Sequence, residues 1–382
     1  MGLSIRRPLL PLLLFLFPLL YTVSVLQQRW NPEETKRLVS PKRPDQVILG
    51  PAAGQGLPNR LQCQGTKAVN RIEPSPKNSH SEEEKVSFVT VFAIYKSDPM
   101  NEKMLDRVRV GDISYNSKSE RSLAILETYI DFIQVSMPSS DVVVLTDPDS
   151  TFSLDRNNAI KFPIEGDYSR SNLMLQRIKS YIAYLKRILE SSELEKANKN
   201  IIFSDSDIAV VDNLGDIFQK HPDFHIALTF RNNKNQPLNS GFIAVRGTRD
   251  GMSKSKDFLE EVLDIYMSKY MGASRMLGDQ LALYWVIKLH LPSAIQKFNQ
   301  HESFSGKVKG VSVLFLPCAI YNWTPPEGAG QFHGMPLDVK IVHFKGSRKR
   351  LMLEAWNFYK STSNMSNMLC LILCSGRTKY DF

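Results

Sequence analysis

The chain has 382 residues, 42% of them hydrophobic and 23% charged, a globular composition long enough for one large domain with appendages or two small ones. Its 48 Lys and Arg against 39 Asp and Glu give +9, but residues 1–85 hold 12 basic and 7 acidic groups, so the remainder carries only +4; this ordinary balance speaks against nucleic acid as a partner. Cys63, Cys318, Cys370 and Cys374 form no CxxC pair and have no His at zinc-finger spacing, which excludes a structural zinc site of that kind.

Between Arg7 and Arg29 lie 21 uncharged residues, mostly Leu, Phe and Val. As a helix such a run covers about 30 Å, the thickness of a hydrocarbon core. Arg6 and Arg7 precede it and no basic cluster follows at once, so the positive-inside tendency predicts a cytosolic tail over 1–7, a signal anchor over 8–28 and a type II orientation. A cleaved signal peptide shares the Leu-rich run, but Val23-Ser24-Val25 is a poor cleavage site. Pro11 and Pro18 fall inside the run, where membrane helices tolerate them. Residues 29–85 contain seven prolines and the triplet Glu82-Glu83-Glu84, with few aromatic or β-branched residues; they read as a disordered stem.

Folded sequence is expected over 86–360, with 361–382 as a C-terminal tail. Val86 to Tyr95 and Asp141 to Thr146 read as buried strands; Leu123, Leu126, Tyr129, Ile130 and Ile133 recur at helical spacing between them, ending before Pro138. Leu175, Ile178, Ile182, Leu185 and Leu189 mark one face of a helix over Leu173 to Leu189. Strands follow at Ile201–Phe203, Ile226–Phe230 and Gly241–Val245, helices near Phe258–Tyr270 and Gln280–Leu289, and final core strands at Val311–Leu316 and Val339–Val342. The order predicts an α/β domain, a mixed central sheet flanked by helices. Met368 to Cys374 is too short to span a bilayer and reads as an element packed on the domain.

Two segments carry chemistry. Ile201-Ile202-Phe203-Ser204 runs into Asp205-Ser206-Asp207, and a strand period of two would place both carboxylates on one side, beyond the carboxyl end of a strand where α/β sheets bind ligands. Oxygen ligands at this spacing suit Mn²⁺ or Mg²⁺, which in turn holds a diphosphate. Near the end, Val339 to Val342 leads into His343-Phe344-Lys345-Gly346-Ser347-Arg348-Lys349. His343 can supply an imidazole to the same metal, Gly346 allows close backbone approach to phosphate, and Lys349 offers a point charge.

Asp205-Ser206-Asp207, Asn239-Ser240-Gly241, Gly278-Asp279-Gln280 and His343 to Lys349 occur in the order found in nucleotide-diphospho-sugar transferases of the GT-A fold, and the ending most resembles the glycogenin-like retaining group. The resemblance covers about residues 86–356. It implies a single GT-A, Rossmann-like domain that moves a hexose or pentose from a UDP-sugar to an acceptor hydroxyl with retention, using Mn²⁺ or Mg²⁺. It implies Asp205, Asp207 and His343 as metal ligands, with Gly346 and Lys349 facing the diphosphate. Ala93, Ile94 and Tyr95 would border the nucleobase, Asn239, Asp279 and Gln280 would surround the sugar, and Lys179 would reach the donor from the preceding helix. Asp205 would also contact the nucleotide-sugar. The expected partners are a UDP-sugar, a glycan or glycoprotein acceptor and, through the N-terminal helix, the Golgi membrane with the catalytic domain lumenal; a homodimer is compatible. Arg350-Leu351 stands where relatives often have Pro-Trp, so the loop over the diphosphate is expected to differ.

Two alternatives remain at this stage. A haloacid-dehalogenase-type phosphatase also places Asp-x-Asp after a strand, but it wants Thr or Val where this chain has Ala209, and a second acidic pair where Gly278-Asp279-Gln280 supplies one carboxylate. A non-catalytic lumenal member of the transferase fold would keep the motifs. A lumenal domain would expose Asn322-Trp323-Thr324 and Asn364-Met365-Ser366 to glycosylation.

Overall fold

In the computed structural model, residues 84–94, 108–110, 113–191, 199–233, 235–273, 277–325, 335–336 and 338–358 are described. The expected anchor at 8–28, nearly all of the stem, Tyr95, Asn364 and the tail at 361–382 lie outside them. Among the described residues, no helix is long and apolar enough to cross a membrane.

In chain order the strands are β1 Val86–Val91, β2 Val108–Val110, β3 Ile113–Tyr115, β4 Asp141–Thr146, β5 Ala159–Pro163, β6 Asn200–Ser204, β7 Ile208–Val210, β8 Ile226–Phe230, β9 Leu238–Val245, β10 Phe304–Val308, β11 Val311–Pro317 and β12 Ile341–His343. The α-helices are α1 Lys118–Ser136, α2 Leu173–Glu190, α3 Gly215–Lys220, α4 Arg249–Ile265, α5 Gly278–His290, α6 Pro292–Gln296, α7 Cys318–Tyr321 and α8 Lys349–Phe358. Eight strands form one sheet in the order β10-β11-β8-β9-β6-β1-β4-β5. It is mixed: β1 pairs in parallel with β4 and β6, β4 with β5 and β11 with β8, whereas β9 runs antiparallel to β6 and β8, and β10 to β11.

The central strands are apolar on both sides because both faces are covered. Phe88, Val142, Val144 and Ile202 enter one core with Leu126, Ile130 and Ile133 of α1. Their alternates Val89, Val143, Leu145, Ile201 and Phe203 enter the other with Leu175, Ile178 and Leu185 of α2, Phe258 and Val262 of α4, and Leu283 and Val286 of α5. Burial at roughly 25 cal/mol per Å² of apolar surface on two faces makes this layering the main source of stability. The helix starts are fixed locally: Ser117 accepts from the Glu120 N–H at 3.0 Å and Thr248 from the Gly251 N–H at 3.1 Å.

Three expectations need correction. The first strand ends at Val91, where its register with β4 stops, and not at Tyr95. The helix expected to run to Tyr270 is α-helical only to Ile265 and continues as a π-helix over Tyr266–Tyr270. The last strand does not join the main sheet: β12 pairs antiparallel with β7 in a separate two-stranded ribbon that sets His343 opposite Ile208.

Candidate metal and ligand site

The strand β6 stops at Ser204, so Asp205-Ser206-Asp207 forms the turn into β7. The two carboxylates therefore do not converge through a strand period. Backbone pairing fixes the turn instead: the Asp205 N–H donates to the Gly241 carbonyl at 3.1 Å, and the Phe344 N–H donates to the Asp207 carbonyl at 2.8 Å. Each end of the turn is thus tied to a different segment, β9 and the chain after β12. The same ties bring His343 over the turn, with Nε2 3.3 Å from Asp207 Oδ1 and 3.6 Å from Asp205 Oδ2. One ligand atom from each of Asp205, Asp207 and His343 lies within 4.8 Å of the others.

The surroundings fix the orientation of His343. Asn322 donates through Nδ2 to Asn239 Oδ1 at 2.9 Å and to Thr229 Oγ1 at 3.2 Å, which turns its Oδ1 toward His343. His343 Nδ1 then donates to Asn322 Oδ1 at 2.7 Å, which directs Nε2 at the carboxylates. Asn322, 1% exposed, has no room for a glycan, which corrects the expected sequon; its amide holds the imidazole. Gly241 is equally constrained, since a Cβ there would lie 2.7 Å from both Asp205 Oδ2 and His343 Cε1. Hard carboxylate oxygens with one imidazole fit Mn²⁺ or Mg²⁺.

Lys349 at the start of α8 places Nζ 3.2 Å from Asp207 Oδ2 with half of its side chain exposed. Burial by itself would push the Asp207 carboxyl up, but His343 and Lys349 outweigh it and hold the group well below the usual carboxylate range. Gly346 sits at φ +69, a left-handed conformation that favours glycine, with open space where a side chain would project.

Beside the turn lies a buried cation that the sequence reading missed. Arg177 of α2 donates through Nη1 to Asp205 and through Nη2 to Asp279, and Nη2 also reaches Ser240 Oγ at 2.7 Å. Burial would lower its pKa, but Asp205 and Asp279 outweigh that and raise it, so the guanidinium stays charged. Asp279 is 3% exposed at the first turn of α5, and Gly278 before it packs against the Tyr266 ring so closely that any Cβ would collide. Gln280 Nε2 donates to Gln236 Oε1 at 3.4 Å.

The strands β8 and β11 end side by side, Phe230 in register with Pro317. Arg231 follows β8 and donates from Nε to the Gln236 carbonyl at 2.7 Å and from Nη2 to Gln236 Oε1 at 2.8 Å. Lys345, two residues after His343, is half-buried; burial first, then the charges of Arg231 and Arg348, pushes its ammonium down to about 8. Cys318 is buried just past β11 and its thiol is pushed up, by burial above all.

No protein-family pattern and no curated protein matches this chain. Among solved structures it is similar to a glycosyltransferase involved in the glycosylation of the major capsid of PBCV-1, at 9% identity and a TM-score of 0.39, over 72% of this chain and 99% of that one.

Of the residues expected at the site, Asp205, Asp207, His343, Lys349, Asp279 and Gln280 are connected through the contacts above. Asn239 is 6% exposed, and its Oδ1 accepts from the Gly241 N–H at 2.8 Å as well as from Asn322, so this oxygen buttresses the ligands. Ala93 and Ile94 are partly exposed just past β1, at the same edge of the sheet as Asp205. Lys179 is exposed, whereas Arg177 two residues earlier is buried. Two helical positions are about 200° apart, so one faces the sheet and the other the solvent.

Proposed function

We propose that this protein is a metal-dependent glycosyltransferase that moves a sugar from a UDP-sugar to an acceptor hydroxyl. One observation carries the reading: Asp205, Asp207 and His343 bring their ligand atoms within 4.8 Å of one another at the carboxyl end of β6. That is where a mixed α/β sheet receives a nucleotide. Asp205, Asp207 and His343 would hold Mn²⁺ or Mg²⁺, which supplies Lewis-acid stabilisation of the charge growing on the departing diphosphate.

The chain's own groups do the rest. Lys349, half exposed beside Asp207, can turn its ammonium onto the diphosphate, and the open left-handed turn at Gly346 lets the backbone approach it. Ala93 and Ile94 at the end of β1 would border the nucleobase. Asp279 and Gln280 would face the transferred sugar, and Arg177 holds Asp279 in place by its ion pair. Retention of configuration follows the glycogenin-like order of the motifs, and in that scheme the leaving phosphate accepts the acceptor's proton. The apolar run at 8–28 supports a lumenal domain on a type II Golgi anchor.

Calorimetric titration of UDP with and without Mn²⁺ tests the reading. Asp207→Ala and His343→Ala should each abolish most of the Mn²⁺-dependent binding. Asp279→Asn should bind UDP like the parent and lose turnover on a panel of UDP-sugars. Parent-like binding by both ligand variants would refute the proposal.

A further inference from the structure

Gln236, half-buried in the loop between β8 and β9, has an amide whose two ends are treated differently. Its Oε1 accepts from Arg231 Nη2 at 2.8 Å and from Gln280 Nε2 at 3.4 Å. A guanidinium carries donors only, so Arg231 can face the oxygen of this amide and never its NH₂. The orientation of Gln236 is thereby fixed. That of Gln280 follows, because an amide that meets an acceptor must turn its own Nε2 toward it. Two groups are left over, Gln236 Nε2 and Gln280 Oε1, and neither has a hydrogen bond among the described residues.

The loop holds this arrangement in place. Arg231 also donates from Nε to the Gln236 carbonyl at 2.7 Å and from its backbone N–H to the Pro237 carbonyl at 2.8 Å, while Asn233 Oδ1 accepts from the Gln236 N–H at 3.0 Å. Arg231 thus grips Gln236 by both backbone and side chain. On the other side, Gln280 is 5% exposed in the first turn of α5, next to Asp279, and Asp279 pairs with Arg177, which pairs with Asp205. A continuous series of contacts therefore runs from a candidate metal-ligand carboxylate to Gln236. An amide oxygen left without a partner in so little exposed a residue of that series calls for a ligand.

We propose that Gln236, oriented by Arg231, is a specificity-determining residue for the donor: Gln236 Nε2 donates to, and Gln280 Oε1 accepts from, hydroxyl groups of the transferred sugar. A hydroxyl both accepts and donates, so a donor and an acceptor on two bonded amides suit one hydroxyl or a neighbouring pair. This deepens the transferase reading and rests on it for the identity of the ligand. Arg231 is a positioning residue, acting on the sugar only through Gln236.

The test is a calorimetric titration of the full chain in Mn²⁺ with UDP and with UDP-glucose, UDP-galactose, UDP-xylose and UDP-arabinose. Gln236→Glu keeps an acceptor for Arg231 and for Gln280 and removes only the Nε2 donor, so its melting temperature should not fall. It should weaken the tightest-binding of these UDP-sugars by about tenfold, the value of one hydrogen bond, and narrow the spread of affinities across the four, while UDP stays within about twofold. Gln236→Met, which introduces no charge, should weaken the same UDP-sugar at least as much. Arg231→Met releases the amide and should reproduce the narrowed spread, and Arg231→Lys, which restores one donor, should recover part of it. Parent-like affinity of either Gln236 variant for that UDP-sugar would overturn the inference. So would an equal loss for UDP, which would assign Gln236 to the diphosphate or to the fold alone. Asp207→Ala decides the transferase reading separately, because it is read from Mn²⁺-dependent UDP binding, where no sugar is present.

Discussion

Arg177 and Asp279, 102 residues apart in sequence, form a buried ion pair, and the same guanidinium pairs with Asp205. One cation thus joins a candidate metal-ligand carboxylate to the carboxylate at the start of α5. Arg177→Met keeps the volume of the side chain and strands Asp279 without a counter-charge. Removing one partner of a buried pair costs about 3–5 kcal/mol. Asp205 is partly exposed and contributes less, so a loss near ~3 kcal/mol is expected in denaturant unfolding. Adding Asp279→Asn to Arg177→Met should restore part of it.

Gly241→Ala should act on the metal without unfolding the domain. The added methyl meets Asp205 Oδ2 and His343 Cε1, both at 2.7 Å, and must push two ligands apart. Mn²⁺ affinity should fall by about 10–100-fold, the range for disturbed ligand support, in a titration without nucleotide.

Asn322→Ala removes the acceptor that fixes His343 Nδ1 and should also weaken Mn²⁺ by about 10–100-fold. Asn322→Asp keeps an acceptor there and should retain more affinity. Mass spectrometry of the protein from a glycosylating host should find Asn322 unmodified in the folded form, because the side chain is 1% exposed.

Lys349→Met separates diphosphate binding from metal binding. Lys349 is half exposed, so its pair with Asp207 adds little to stability, and the melting temperature should hold. UDP affinity in Mn²⁺ should fall by about 10–100-fold, as for the loss of a charge-assisted hydrogen bond. Mn²⁺ affinity alone should change little.

The sequence by itself determined the elements whose pattern is local. Strands such as Ile226–Phe230 and Asp141–Thr146 and the helix from Leu173 are legible because apolar periodicity and flanking turn residues record them residue by residue. Asp205, Asp207 and His343 could be grouped because acidic and imidazole ligands stand out chemically at strand ends. Tertiary structure alone decided how they meet. The turn after Ser204 is shaped by hydrogen bonds to Gly241 and Phe344, and β12 leaves the sheet to pair with β7, neither of which leaves a local mark. Arg177 and Asn322 escaped for the same reason: a lone Arg in a helix and an Asn in a sequon have common local explanations, and only long-range packing reveals them as the ties between Asp205, Asp279, His343 and Asn239.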